Sequence, residues 1–248
     1  MEILPGLHWV ERIWDTKVYV LIDNHRVVLI DAAMPGRERA VWRYLASLGY
    51  PPDAVDEIWV THGDIDHMGS VAALKATSGA KVVAHRADAP LVDGRADREL
   101  GPLPMNSTYQ RLFNWAIRSV LRYQPTTVDC LVEDGQHLGD WRVVHVPGHT
   151  AGSVCFYSPA RKIVIVGDAL NHRPRRRHLG VPPAMFTPDM AQAYASIHKI
   201  AALDFEVCCF GHGPPLLENA RQQVQALAHS LPACGCLRAV ASQPRGAG

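Results

Sequence analysis

The chain has 248 residues, of which 48% are hydrophobic, and its 25 basic and 24 acidic side chains leave a formal net charge of +1. A chain of this length can form one domain with a large buried core, and its balanced charge argues against bulk electrostatic binding to nucleic acid. The start of the sequence lacks the apolar core of a signal peptide, and no later segment has the roughly 18 unbroken apolar residues of a membrane span. We therefore expect a cytoplasmic protein without an integral membrane segment.

The first part of the chain predicts helices packed on a sheet. Two β-branched runs at residues 17–22 and 27–30 predict a hairpin. Apolar residues at helical spacing then end at Gly49, which is typical of a helix stop. A second helix is predicted at residues 67–78, and a strand follows at residues 81–85.

Residues 86–127 depart from this pattern and predict an insertion. Within it, residues 107–123 predict a helix with one apolar face and a row of arginines on the other face. Such a helix could form a lid over a site, the surface of a homodimer or a weak contact with a membrane surface. The alternative is an inserted helix that covers the fold with its arginines in water, and we favour a cover or lid near the substrate entrance.

The C-terminal part predicts two more helices. Thr187, Pro188 and Asp189 form a typical helix start, with Thr187 as the cap and Pro188 at the first position. A last helix is expected at residues 218–231, and residues 232–248 predict a disordered tail.

A cluster of metal-binding side-chain types follows the strand that ends near residue 60: His62, Asp64, Asp66 and His67. Residues two apart in an extended chain point to the same side, so His62 and Asp64 can converge on one ion. Asp66 and His67 lie beyond the bend at Gly63 and are better placed for a second ion. A single such residue would be read as a cap or a loop residue, whereas four at this spacing predict a metal site.

The same construction of an apolar strand, a glycine and a metal-competent side chain occurs three more times. It presents His149, Asp168 and His212, each directly after or close to a strand end. Ligands in α/β folds gather at the carboxyl ends of the strands. We therefore predict that these residues meet the first cluster at one edge of the sheet.

These motifs resemble those of the metallo-β-lactamase superfamily of hydrolases. The resemblance implies an α/β fold of the four-layer αββα sandwich type, with the hydrolase domain at residues 1–231. It also implies two divalent ions, the first held by His62, Asp64 and His149, the second by Asp66, His67 and His212, and both bridged by Asp168. Asp31, which follows an earlier strand, would support the site without binding metal.

Asp64 departs from the family pattern, because most members have histidine at this position. Two divalent ions bring four positive charges, and three aspartates with a bridging hydroxide bring four negative ones, so the site would be near neutral. The extra oxygen ligand favours iron or manganese relative to zinc. Because of the resemblance to the metallo-β-lactamase superfamily, we still expect zinc first. From the sequence alone, Asp64→His is expected to keep the fold and to tighten zinc binding.

The predicted constellation supports hydrolysis of a small-molecule substrate. A bound divalent metal lowers the pKa of water to about 7, which supplies a bridging hydroxide that attacks an ester, thioester or lactone. Asp66 is expected to be catalytic as well as a ligand, because it can pass the proton to the leaving group. His172 and Arg173, at the start of an arginine-rich run, would grip a carboxylate or phosphate, although a solvated loop explains the run equally well.

Other functions stay open at this point. The acidic Asp64 suggests a di-iron redox enzyme with flavodiiron-like site chemistry. A phosphodiesterase is a further alternative, as is a metal-binding module without turnover.

Overall fold

The structure is a computed structural model, and it describes residues 1–14, 16–23, 26–102, 122–173 and 178–232. The predicted helix at residues 107–123 and the predicted tail at residues 232–248 lie almost wholly outside the described residues. Both of them, and the predicted domain limits, therefore stay predictions.

Seven strands form the first sheet in chain order: β1 (Glu2–Leu4), β2 (Leu7–Trp9), β3 (Tyr19–Asp23), β4 (Arg26–Ile30), β5 (Val55–Trp59), β6 (Lys81–His85) and β7 (Cys130–Val132). The strands from β1 to β4 are antiparallel, which suits the predicted hairpin. Those from β4 to β7 are parallel. Parallel strands need crossover connections, and helices of this half lie in the connections between them.

The second sheet comes from the later part of the chain and contains β8 (His137–Leu138), β9 (Trp141–His145), β10 (Val154–Ser158), β11 (Ile163–Ile165) and β14 (Val207–Cys209). Its spatial order is β14-β11-β10-β9-β8, with β14 parallel to β11 and the other pairs antiparallel. A separate two-stranded ribbon joins β12 (Asn171–Arg173) to β13 (His178–Gly180).

The described helices are α1 (Glu38–Ser47), α2 (Ile65–Met68), α3 (Val71–Ser78), α4 (Ala89–Val92), α5 (Met190–Ala201) and α6 (Ala220–Ser230). Single 3-10 turns lie at Pro52–Ala54 and Ala184–Phe186.

Three apolar clusters show how these elements stack. Between the two sheets, the Trp59 ring lies 5.0 Å from Phe156 and 6.3 Å from Trp141. Side chains of α1 and α3 cover the outer face of the first sheet, and those of α5 and α6 cover the outer face of the second. The molecule is thus a four-layer αββα sandwich, which confirms the predicted fold class.

The helix predicted at residues 67–78 is divided into α2 and α3. The carbonyl of His67 accepts a hydrogen bond from the Ala32 amide at 2.6 Å, and the Ser70 amide donates to Ala33 at 3.2 Å. The turn after β4 therefore takes backbone groups that a continuous helix would have used. The periodicity of the sequence does not reveal this competition between distant segments for backbone hydrogen bonds.

The cap of α5 also differs from the prediction. Asp189, not Thr187, caps the helix, and its Oδ1 accepts a hydrogen bond from the Gln192 amide at 2.8 Å. Thr187 is fully buried, donates to the carbonyl of Pro183 and lies 3.4 Å from Nδ1 of His149. It serves the predicted site rather than the helix.

Candidate metal centre

The seven predicted ligand side chains lie at one edge of the sandwich, where strands of both sheets end. The 62–67 segment follows β5 of the first sheet, whereas His149, Asp168 and His212 follow β9, β11 and β14 of the second. A hydrogen bond of 2.9 Å from the Val154 amide to the Thr61 carbonyl joins the two sheets at this edge. The predicted meeting of strand ends is therefore present in the structure.

The residues predicted for the first ion are close together. Nε2 of His149 lies 2.9 Å from Oδ2 of Asp64, and Nε2 of His62 lies 3.6 Å from the same oxygen. Both imidazoles are buried.

The residues predicted for the second ion lie beside this group. Nε2 of His212 is 3.2 Å from Oδ2 of Asp66, and Nε2 of His67 is 4.0 Å from it. Asp168 stands between the two groups, since its carboxylate oxygens lie 3.3 Å from His67, 3.2 Å from His212 and 3.9 Å from His149.

The donor set fits divalent cations. Three groups of ligand atoms, each within 4.8 Å of one another, are available: His62, Asp64 and His149; His62, His67 and Asp168; and Asp66, His67 and His212. Within the described residues, the buried atoms His62 Nε2 and Asp168 Oδ1 have no hydrogen-bond partner. An unsatisfied buried polar atom costs about 1–3 kcal/mol, and a cation between these atoms would remove that cost.

Charge coupling within the cluster is strong. Burial lowers the pKa of His67, but the carboxylates of Asp31, Asp168 and Asp66 outweigh burial and raise this pKa well above its usual value. Burial raises the pKa of Asp168, but the charge on His67 and the hydrogen bond with His212 hold it well below its usual range. The carboxylate of Asp168 is therefore ionised at neutral pH, and the raised pKa of His67 favours the protonated imidazole beside it.

Asp31 supports the site as the resemblance implied. Its Oδ2 accepts a hydrogen bond from Nδ1 of His67 at 2.7 Å, which fixes the ring so that Nε2 faces the cluster. The Thr61 amide and hydroxyl bind the same carboxylate. Asp31 has a φ of +62°, a conformation uncommon for residues other than glycine and typical of functional sites.

Sequence reasoning missed Asp88, a buried carboxylate that connects two ligand loops. It accepts hydrogen bonds from the Gly63 amide at 2.8 Å, from the Thr150 hydroxyl at 2.6 Å and from the Gly152 amide at 2.7 Å. Asp88 therefore holds the loop after β5 against the loop after β9. Its position three residues after β6, at the same sheet edge, is the signal that could have revealed it.

The two predicted substrate contacts lie beside the last ligand loop. Nδ1 of His172 lies 2.7 Å from the carbonyl oxygen of Pro214, and the ring packs against Phe210. Only the backbone of Arg173, in β12, is described. A cleft of about 250 Å³ opens next to His212 and is lined by Trp9, Trp14, Thr16, Lys17, Gly211, His212, Gly213 and Pro214.

Comparison with known families identifies the fold and the site together. The family model described as the metallo-beta-lactamase superfamily matches residues 13–212, which include every predicted ligand. The chain belongs to the metallo-β-lactamase superfamily. Among the described helices of this superfamily member, none combines the length and apolarity that a membrane span requires.

Three similar proteins show the range of the superfamily around this chain. YflN of Bacillus subtilis strain 168, a probable metallo-hydrolase, is 29% identical over 222 residues, or 84% of each chain. A hydroxyacylglutathione hydrolase of Pseudomonas paraeruginosa is 28% identical over 196 residues, which cover 76% of this chain and 58% of that enzyme. The crystal structure of TTHA1623 in a di-iron-bound form has a TM-score of 0.63 and 25% identity, and the match covers 87% of this chain and 97% of that one.

The protonation of His212 predicts how the metal-free protein responds to pH. Burial lowers its pKa, but hydrogen bonds with Asp168 and Asp66 outweigh burial and raise it from 6.5 to about 9. A group whose pKa is higher in the folded protein than in the unfolded chain stabilises the fold. This stabilisation is complete below the pKa of the unfolded chain, and it is lost as the pH rises through the pKa of the folded protein. With a chelator present, the melting temperature is expected to fall as the pH rises from about 6.5 to about 9.5.

Thermal unfolding followed by circular dichroism would measure this fall. Addition of divalent metal should abolish it, because the cation takes the place of the proton. His212→Gln should show a smaller fall in the chelated protein. A fall of equal size in chelated wild type and in His212→Gln would contradict the role given to this proton.

Proposed function

We propose that this metallo-β-lactamase superfamily member is a metal-dependent hydrolase of small esters, thioesters or lactones. The observation that carries the proposal is the convergence of seven metal-competent side chains, with His62 Nε2 and Asp168 Oδ1 buried and unpartnered among the described residues. Such donors in a concave site are the usual sign of metal-assisted hydrolysis.

The residues take the following roles in this proposal. His62, Asp64 and His149 would hold one cation, Asp66, His67 and His212 a second one, and Asp168 both. Bound cations would activate water at neutral pH and polarise the substrate carbonyl. Zinc is the first choice, while the carboxylate of Asp64 and the di-iron form of TTHA1623 favour iron, with manganese as a further candidate.

Asp66 is the proposed proton carrier. Burial raises the pKa of Asp66, but the charge on His67 and the hydrogen bond with His212 outweigh burial and lower it, so Asp66 is ionised at neutral pH. Its side chain keeps 29% exposure, more than the 8% of Asp168. An ionised and accessible carboxylate beside the cleft can take a proton from attacking water and pass it to the leaving group.

The substrate class is supported by the cleft and by the relatives. The cleft beside His212 is small for a ligand pocket, which suits a compact acyl compound. The likeness to hydroxyacylglutathione hydrolase favours a thioester among the proposed substrates. His172 and Arg173 remain proposed contacts for an anionic group of the substrate.

The test is a substrate screen on protein purified without added metal. The metal content per chain is measured first, and chromogenic thioesters, esters, lactones and phosphodiesters are then assayed with zinc, manganese or iron. We expect thioester or ester hydrolysis that a chelator removes and that one of these metals restores. Exclusive phosphodiester cleavage would refute the substrate class, and a chain that retains no metal would refute the proposal as a whole.

A further inference from the structure

Arg98 binds Asp64, the residue that departs from the family pattern. Nε of Arg98 donates a hydrogen bond to Oδ1 of Asp64, and Nη2 lies 3.3 Å from Oδ2. Each side chain is only 17% exposed. This is a largely buried ion pair joined by the Nε hydrogen bond, not a solvated surface pair.

Three further N–H groups of Arg98 are also occupied. Nη2 donates to the carbonyls of His149 and Phe186, both at 2.7 Å, and Nη1 donates to the carbonyl of Glu99. The guanidinium is therefore committed to the protein rather than to a substrate anion. Any effect of Arg98 on the reaction must act through the groups that it holds.

The backbone fixes Arg98 in this position. The Gly101 amide donates to the Met185 carbonyl at 3.0 Å, and the Ala96 amide donates to the Pro90 carbonyl at 2.9 Å. A Cβ at position 101 would collide with the carbonyl oxygen of Ala184. The segment that carries Arg98 is thus anchored on both sides of the arginine.

The hydrogen bond from Nε of Arg98 leaves Asp64 with one inward-facing oxygen. Oδ1 is taken by Nε of Arg98, whereas Oδ2 lies 2.9 Å from Nε2 of His149 and 3.6 Å from Nε2 of His62. A free carboxylate can bind a cation through both oxygens. This one presents a single donor atom to the site, as an imidazole would.

Arg98 also balances the charge of Asp64. A carboxylate and a guanidinium together carry no net charge, so the pair equals a neutral histidine in the electrostatics of the site. With two divalent ions, three aspartates and a hydroxide, the site would be near neutral. Counting the guanidinium of Arg98 as well gives the site one unit of positive charge. We propose that Arg98 is a positioning residue that makes Asp64 equivalent to a neutral ligand with one donor atom.

This inference reverses the expectation for Asp64→His that the sequence alone provided. Histidine at position 64 would leave the Arg98 guanidinium buried without its carboxylate and close to the cations. An uncompensated buried charge is strongly unfavourable. Asp64→His should therefore weaken zinc binding by about 10- to 100-fold, the usual range for disturbing the shell around a metal site, unless Arg98 is removed as well.

A pair of double variants tests the proposal. Zinc affinity is measured by competition with a chromophoric chelator in wild type, Asp64→His, Asp64→His/Arg98→Met and Asp64→His/Arg95→Met. Arg95 is an exposed arginine of the same segment that pairs with Asp93, so it controls for a general change in net charge. We expect Arg98→Met, and not Arg95→Met, to restore most of the lost affinity.

A second series keeps the test valid if histidine does not fit at position 64. Asp64→Asn preserves the shape of the side chain and removes its charge, so it should also weaken zinc binding. Adding Arg98→Met should restore the zinc affinity, whereas adding Arg98→Lys should not. Thermal unfolding checks that each variant folds. Equal affinities of wild type and the single variants, or no recovery in either Arg98→Met double variant, would overturn the role of Arg98. Absence of zinc, iron and manganese binding in wild type would instead refute the proposed metal site.

Discussion

Asp168→Asn is expected to lower hydrolysis about a thousand-fold, which corresponds to about 4 kcal/mol in the activation barrier. Asparagine keeps the shape of the side chain, so the substitution removes only the negative charge that lies between the two sets of donors. Loss of a supporting partner of one ion already costs about 10- to 100-fold, and Asp168 faces residues of both sets within 3.9 Å. Metal content by elemental analysis and initial rates with the best substrate of the screen would measure the effect.

Asp53→Asn provides the control for this prediction, because Asp53 is exposed and lies in the 3-10 turn before β5. It should keep wild-type metal content and activity. Wild-type activity in Asp168→Asn would remove the bridging role.

Gly211→Ala is expected to disrupt the site although it replaces none of the proposed ligands. An added Cβ would collide with Oδ1 of Asp168 and lie 2.5 Å from Cε1 of His67. The backbone cannot retreat easily, since the Gly211 amide donates to Gly167 and its carbonyl accepts from Lys17, both at 2.8 Å. We expect metal affinity to fall about 10- to 100-fold and stability to fall by about 1–3 kcal/mol from overpacking.

Gly36→Ala is the matched comparison. Its Cβ would meet nothing within 4 Å, but its φ of +85° strains any other residue, at a cost of about 1–2 kcal/mol. Denaturant unfolding and chelator competition on both variants should show lost stability in each and weakened metal binding only in Gly211→Ala. Equal metal affinity in the two variants would mean that the close approach at Gly211 is not required.

The ligand cluster was predictable because its signal is local and repeated. Each of His149, Asp168 and His212 follows an apolar strand and a glycine within a few residues. The physical rule that parallel strands bring their carboxyl ends to one edge then places distant residues together. The αββα arrangement came from the resemblance to a family, because strand periodicity does not reveal which sheet a strand joins.

The partners of the ligands were not predictable in the same way. Arg98 and Thr187 lie in irregular segments, and their contacts with Asp64 and His149 depend on how two loops pack. Asp88 is held by amides of two loops that are about 90 residues apart in sequence. Likewise, the break between α2 and α3 results from hydrogen bonds with the turn after β4. The contacts of Arg98 and Thr187 and the break between the helices leave no period or motif in the sequence, and Asp88 leaves only its position shortly after β6.

The order of the donors along the chain has a consequence for biosynthesis. Each of the three groups of ligand atoms described above includes a residue at or beyond position 149, and the last of these residues is His212. A chain emerging from the ribosome therefore has none of these three groups complete until residue 149 has been synthesised, and has all three only after His212. The full set of seven donors is accordingly available only after the strands of both sheets have been synthesised.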